Sequence, residues 1–383
     1  MLWLNFIHLY QPANSQSERI KEAVDKSYLR LTRLLEEHPA LHFTANISGC
    51  LLERLRDDGF TDLLARWRVL VKSGRLELVG SAAYHGFLPF LPEEEILYQI
   101  KRQEEITADI LGVDLRGGGF FLPEMAYTPV LAQLLKKSGY SWLILDEASL
   151  PDKAMPREQA AYLDINSDLR VLVRQRDYSN TYIPDLIKKL SDHNSQPSLL
   201  VTATDAELYG LRHEDPTAKL EKMVSLPDLQ TATISDFLST AKTEPLIFQS
   251  ASWETDRSQD RSQVFAVWRN PHNRLQKDLW KLADIILAAG KKYNNDVNYA
   301  AYRWHLDRGL ASCMFWWASG RDFFQNFGPK AWNPDEVENG LNDLIRAVRS
   351  LQDKRSSREK VVAEKLLSRI RFRLWRRHWQ KYF

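Results

Sequence analysis

The chain has 383 residues, 44% hydrophobic and 27% charged. That is ordinary for a globular protein and excludes a disordered or low-complexity one. No stretch approaches the roughly 18 apolar residues that span a bilayer, and a net charge of +2 excludes a strongly polyanionic or polycationic chain. The only two cysteines, Cys50 and Cys313, lie far apart and outside any CxxC spacing, which excludes a disulfide framework and a zinc–thiolate site.

The N-terminus lacks the positive stretch and small-residue cleavage site of a secretory signal, so a reducing cytoplasm is the expected compartment. In chain order, apolar runs predict strands at residues 2–8, 41–47, 76–80, 119–122, 142–145, 171–174 and 199–202, with another at 247–250. Amphipathic spacing predicts helices at 20–37, 51–73, 92–111 and 128–138. The second-last of these starts at Pro92 ahead of three glutamates, and the last is ended by Gly139. Strands alternating with helices of this length imply βαβ units and a parallel sheet. Seven such strands suit a closed or nearly closed barrel better than an open sheet.

After about residue 270 the pattern becomes helical, at 273–290, 298–312, 335–352 and 357–379. The expected organisation is a catalytic barrel over 1–269 and a helical domain over 270–383. The polar segment 252–264 reads as a loop. Residues 354–383 hold eleven Lys/Arg against two Glu, a charge of +9 that leaves −7 on the rest. Such a tail can meet nucleic acid or an anionic membrane. The favoured reading is a helix packing Leu366, Ile370, Leu374 and Trp375 onto the body, with its arginines solvated or paired, and no nucleic-acid partner is expected.

Parallel α/β barrels carry their sites at the C-terminal strand ends. Those ends hold His8, Tyr10 and Gln11, then Asn46, then Tyr84 and His85. They continue with Glu124, Asp146 and Glu147, Asp177 and Tyr178, and finally Asp205 and Glu207. The set is rich in carboxylates and has no serine or cysteine nucleophile motif. Glycoside cleavage needs a carboxylate pair, one protonating the leaving oxygen and the other attacking or activating water. Glu124 follows Gly117-Gly118-Gly119-Phe120-Phe121-Leu122-Pro123, and Asp205 follows Val201-Thr202-Ala203-Thr204. Each also has a purely structural reading, Glu124 as an acid at a helix N-terminus and Asp205 as a helix cap.

At these residues the chain resembles glycoside hydrolase family 57. His8-Leu9-Tyr10-Gln11-Pro12 is similar to the family's His-x-His-Gln-Pro, with Tyr10 in place of the second histidine. The stretches Leu76-Glu77-Leu78-Val79-Gly80 and Tyr84-His85-Gly86-Phe87-Leu88-Pro89 resemble its second motif. Phe121-Leu122-Pro123-Glu124-Met125-Ala126-Tyr127 is similar to Trp-Leu-Pro-Glu-x-Ala-Tyr, and Asp205-Ala206-Glu207-Leu208-Tyr209-Gly210 to Asp-x-Glu-Leu-Phe-Gly. Ser252-Trp253-Glu254 looks like a shortened Ser-Trp-Gly-Glu. Ser312-Cys313-Met314-Phe315-Trp316-Trp317 stands where the fifth motif usually has Ser-Asp-Trp, without the aspartate.

The resemblance covers about residues 1–320. It implies an α/β fold, an incomplete TIM-like (β/α)7 barrel followed by helices, and α-glucan or maltooligosaccharide substrates. It also implies retaining double displacement with no cofactor and no metal. Glu124 is then the nucleophile and Asp205 the general acid/base, which starts the cycle protonated. Retention places their carboxyl groups roughly 5–5.5 Å apart. His8, Tyr10, Gln11, Glu77, His85, Trp253 and Trp316 are the implied substrate-binding residues. The alternatives are a glucan-transferring member, a non-catalytic glucan-binding relative, and a metal-dependent carbohydrate hydrolase using His8, His85 and Asp205 as ligands.

Overall fold

The computed structural model describes residues 1–151, 161–192, 197–256, 263–321 and 331–380. Part of the expected loop 252–264 lies outside the described residues. The chain sorts into two compact units. One is Met1–Gln11, Ser15–Ala83 and Leu88–Arg257, and the other is Pro12–Asn14, Tyr84–Phe87 and Ser258–Phe383.

The first unit is α/β. Its strands are β1 (Leu2–Leu9), β2 (Phe43–Ile47), β3 (Leu76–Leu78), β4 (Gly119–Phe120), β5 (Trp142–Asp146), β6 (Ala161–Asp164), β7 (Leu169–Arg174), β8 (Leu199–Asp205), β9 (Gln230–Thr231) and β10 (Glu244–Leu246). They form one sheet ordered β3-β2-β1-β8, with β9 beside β1, and another ordered β10-β6-β7-β5-β4. Every pairing is parallel except β6 with β7. A parallel bridge from Gly80 to Phe120 joins the sheets on one side. On the other side, Gln175 N donates to Val201 O at 3.0 Å. Seven parallel strands, β1 to β5 with β7 and β8, thus make an incomplete (β/α)7 barrel. The sparse β7–β8 seam is where it stays incomplete.

Strand alternation explains the core. Residues two apart share a face, so Leu4 and Phe6 of β1 and Val201 and Ala203 of β8 all enter one cluster. Val79, Phe121, Ile144 and Leu172 belong to the same cluster. These strands are apolar on both faces because helices cover the outside. Gly119 is needed where β4 meets β5, since a Cβ there would lie 2.2 Å from the Trp142 ring.

Several expectations shift. The strand expected at 247–250 lies earlier, at β10. There Pro245 sits on the edge of the sheet, where its missing N–H costs no ladder bond. The helix expected over 51–73 is two, Gly49–Asp57 and Thr61–Lys72, broken at Gly59 with φ +85°. The helix over 20–37 passes through a π turn at Val24–Tyr28. The extra antiparallel strand β6 returns to β7 through a tight turn in which Asp164 accepts from Ser167 Oγ at 2.6 Å.

The second unit is helical, with Arg274–Lys292, Tyr299–Gly309, Ser312–Trp317, Pro334–Ser350 and Ser357–Trp379. The basic last helix buries Leu366, Ile370 and Leu374. Its Arg369 and Arg373 both bond Asp278, and Arg371 bonds Glu338 and Asn342. No helix among the described residues is long and apolar enough to cross a membrane.

Candidate active site

The barrel's C-terminal end gathers polar groups on adjacent strands. His8 of β1 stands in register with Asn46 of β2 on one side and with Asp205 of β8 on the other. His8 follows Leu4 and Phe6 on the inward face, and Asp205 follows Val201 and Ala203, so both point into the barrel mouth. His8 Nδ1 lies 2.9 Å from Asn46 Oδ1, and an oxygen there requires the proton on Nδ1. Nε2 is then the atom that carries a lone pair. Burial pushes the imidazole down to about 4, against the pull of Asp205, so it is neutral at neutral pH. Asn46 Nδ2 is buried with no hydrogen-bond partner among the described residues.

Glu124 arrives from β4 on a distorted turn. Phe121 N still bonds Gly80 O at 2.8 Å, and Met125 N closes back onto Leu122 O at 2.7 Å. Glu124 and Met125 both take left-handed conformations, with φ of 62° and 49°. Side chains disfavour that region by about 1 kcal/mol or more each, a cost typical of functional turns. Glu124 as a residue is 8% exposed. Trp253 Nε1 donates to its Oε2 at 2.8 Å, and Trp253 N to its main-chain O at 3.2 Å.

Trp253 is itself held in place. Arg174 lies over its ring, 5.5 Å from the centroid, and donates Nη1 to Ala203 O. Arg176 Nη1 bonds Thr255 O at 2.7 Å. Both guanidiniums are anchored on Asp146, which is wholly buried and also caps Ala148 N. The rings of His8, Phe121 and Trp253 pack on one another, at centroid separations of 4.6 Å (His8–Phe121), 6.0 Å (Phe121–Trp253) and 6.4 Å (His8–Trp253). Tyr10 stacks on His8 at 5.8 Å.

Asp205 accepts from Arg212 Nη1 through Oδ2 at 2.5 Å. Behind it, Glu207 is buried and accepts from Tyr28 OH at 2.5 Å and Gln11 Nε2 at 2.9 Å. Burial, then the charge of Asp205, raises Glu207 to about 6. The π turn matters here, because it aims Ser27 Oγ at Ala206 O (2.6 Å) as well as Tyr28 at Glu207.

The structure therefore brings His8, Tyr10, Glu124, Trp253 and Asp205 together. Two expected sugar contacts lie elsewhere. Gln11 is turned onto Glu207, where a buried carboxylate requires donors. Glu77 faces Thr44 two residues below Asn46 and accepts from Thr44 Oγ1, Ser235 N and Ser235 Oγ. It acts as a cap for the helix Ile234–Thr240. His85 and Trp316 belong to the helical unit. His85 is buried, with φ 56° and Nδ1 2.8 Å from Ser312 Oγ, and Trp316 is half-buried on Ser312–Trp317. Arg174 and Arg212 were not singled out in the sequence. Arg174 ends a predicted strand, a position that already pointed to it, whereas nothing local marks Arg212. Among the described residues no group of three His, Cys, Asp or Glu could hold a metal ion.

Known proteins resemble this chain in sequence and in fold. The chain is 33% identical over 228 residues to an alpha-amylase of Pyrococcus furiosus, covering 54% of this chain and 33% of the relative. It is 28% identical over 231 residues to a 4-alpha-glucanotransferase of Thermococcus kodakarensis, covering 55% and 34%. It thus spans about a third of the length of these relatives. Among solved structures, the 4-alpha-glucanotransferase of Thermococcus litoralis superposes with TM-score 0.74 at 18% identity, over 92% of this chain and 60% of that one. The GH57-type branching enzyme of Pyrococcus horikoshii gives 0.70 at 15% identity, over 96% and 94%. The family model for glycosyl hydrolase family 57 matches residues 3–248, and with these motifs in place the chain belongs to that family.

Proposed function

We propose that the chain cleaves α-1,4-linked glucans by retaining double displacement. Glu124 attacks the anomeric carbon as the glycosidic C–O bond breaks, and Asp205 gives its proton to the leaving oxygen. Asp205 then takes a proton from water, whose oxygen attacks the same carbon and releases Glu124. The observation that carries this reading is Glu124 itself. It is a carboxylate held in a strained turn at the barrel mouth, bonded by Trp253, beside the inward-facing pair His8–Asp205. Neutral His8 stands in register with Asp205 at the same strand ends, where an uncharged imidazole suits a sugar hydroxyl.

The relatives divide between proteins named amylase and glucanotransferase, so the acceptor in the second step is the open choice. The deciding experiment incubates the protein with maltoheptaose and amylose beside Glu124→Gln, and separates products by size. Shorter products from wild type alone are expected. Longer or branched products would make the acceptor a sugar. No change in either sample would overturn α-glucan cleavage.

A further inference from the structure

The loop after Asp205 is built to hold one side chain. Gly210 has φ +123°, and a Cβ there would stand 2.1 Å from Lys26 O, so the chain turns tightly against the π turn. Leu211 N and Arg212 N both bond Glu207 O, at 3.2 and 2.7 Å. Downstream, Asp215 accepts from Arg30 Nη2, Tyr182 OH, Lys219 N and Leu220 N, and His213 stacks on Tyr182 at 3.9 Å. Arg212 is therefore fixed on both sides. Its own side chain is 60% exposed and reaches inward to Asp205, which is 26% exposed.

Among the described residues, His8 on β1, Tyr28 on the π turn, Glu207 on its own turn, and Arg212 are charged or titratable groups that interact with Asp205, in addition to the Glu124 carboxylate assigned to the same site. Arg212 is the cation acting on both carboxylates of that turn. As an exposed ion pair it adds little stability, so its effect is on orientation. A guanidinium on Oδ2 fixes the carboxyl rotamer and leaves Oδ1 as the oxygen that Arg212 does not hold.

We propose that Arg212 is a positioning residue for Asp205, holding it by Oδ2 so that Oδ1 faces the glycosidic oxygen. Arg212 lies beyond the motif that ends at Gly210, and it touches Asp205 rather than a reacting atom. The inference rests on the reading of Asp205 as general acid/base.

The test compares kcat/KM on maltoheptaose with kcat/KM on α-maltotriosyl fluoride. Fluoride departs without being protonated, so the fluoride value reports a first step that needs no acid. Arg212→Gln is expected to lose about tenfold or more on maltoheptaose and to keep the wild-type value on the fluoride. Arg212→Lys should restore part of the loss. Equal losses on both substrates, or no loss on either, would overturn the positioning role. Asp205→Asn is measured alongside. If it loses activity on maltoheptaose alone while Arg212→Gln does not, the acid assignment stands and this inference fails. If Asp205→Asn is unimpaired on maltoheptaose, the acid assignment fails and takes this inference with it.

Discussion

Trp253 and Glu124 are 129 positions apart, yet two bonds join them, Nε1 to the carboxylate at 2.8 Å and main chain to main chain at 3.2 Å. The side-chain bond orients the carboxylate that the proposed mechanism uses as nucleophile. A hydrogen bond to a charged group contributes about 1.5–3 kcal/mol. Trp253→Phe keeps an aromatic ring against His8 and Phe121 and removes the donor together with part of the indole. The expected result is a kcat about tenfold lower on maltoheptaose, with a melting temperature within a few degrees of wild type. An unchanged kcat would show that the turn alone holds Glu124.

His8 and Glu207 make stability depend on pH in opposite directions. The folded pKa of His8 is depressed from 6.5 to about 4. Its contribution is therefore present above 6.5 and is lost as pH falls through 4, by roughly 3 kcal/mol in all. Glu207 is raised from 4.5 to about 6. Its contribution is present below 4.5 and is lost as pH rises through 6. Urea unfolding at pH 7 and pH 4 separates the two. His8→Gln should lose less stability than wild type between those values, and Glu207→Gln should lose more. A His8→Gln variant with the wild-type difference would mean that His8 is not the buried neutral group described.

Glu77 tests the boundary of the site. Burial raises its carboxyl, and its partners are Thr44 and the start of the helix Ile234–Thr240. Glu77→Gln should keep kcat within about twofold while lowering stability by about 1 kcal/mol, the size of one lost hydrogen bond. A large drop in kcat at unchanged stability would return Glu77 to the sugar-binding group.

The sequence was legible wherever a local pattern decided the outcome. β1, β5, β7 and β8 are largely apolar runs, and Asp146 and Asp205, at the ends of β5 and β8, fall where barrel geometry puts them. β6 was missed because Ala161-Tyr162-Leu163-Asp164 is short, lacks β-branched residues and is ordered by pairing with β7. Position at a strand end also says nothing of direction. Gln11 follows its strand as expected and then turns onto Glu207, because a buried carboxylate needs donors. The Trp253–Glu124 and Arg212–Asp205 pairs depend on loops that only tertiary packing brings into place.

Asp146 joins the stability of the barrel to the order of the site. It is wholly buried and accepts from Arg174 Nε at 2.7 Å, from Arg176 and from Ala148 N. Removing one charge from such a buried group leaves the others uncompensated and costs about 3–5 kcal/mol. In Asp146→Asn two guanidiniums face a neutral amide. Arg174 then loses its hold over the Trp253 ring, and Arg176 its hold on Thr255. Urea unfolding should show a loss of about 3 kcal/mol or more. Well below the melting temperature, the folded variant should still have a lower kcat, because Trp253 no longer holds Glu124. Lost stability with full activity would show that Glu124 is positioned without this chain of contacts. Unchanged stability would show that the buried charge cluster is not formed in solution.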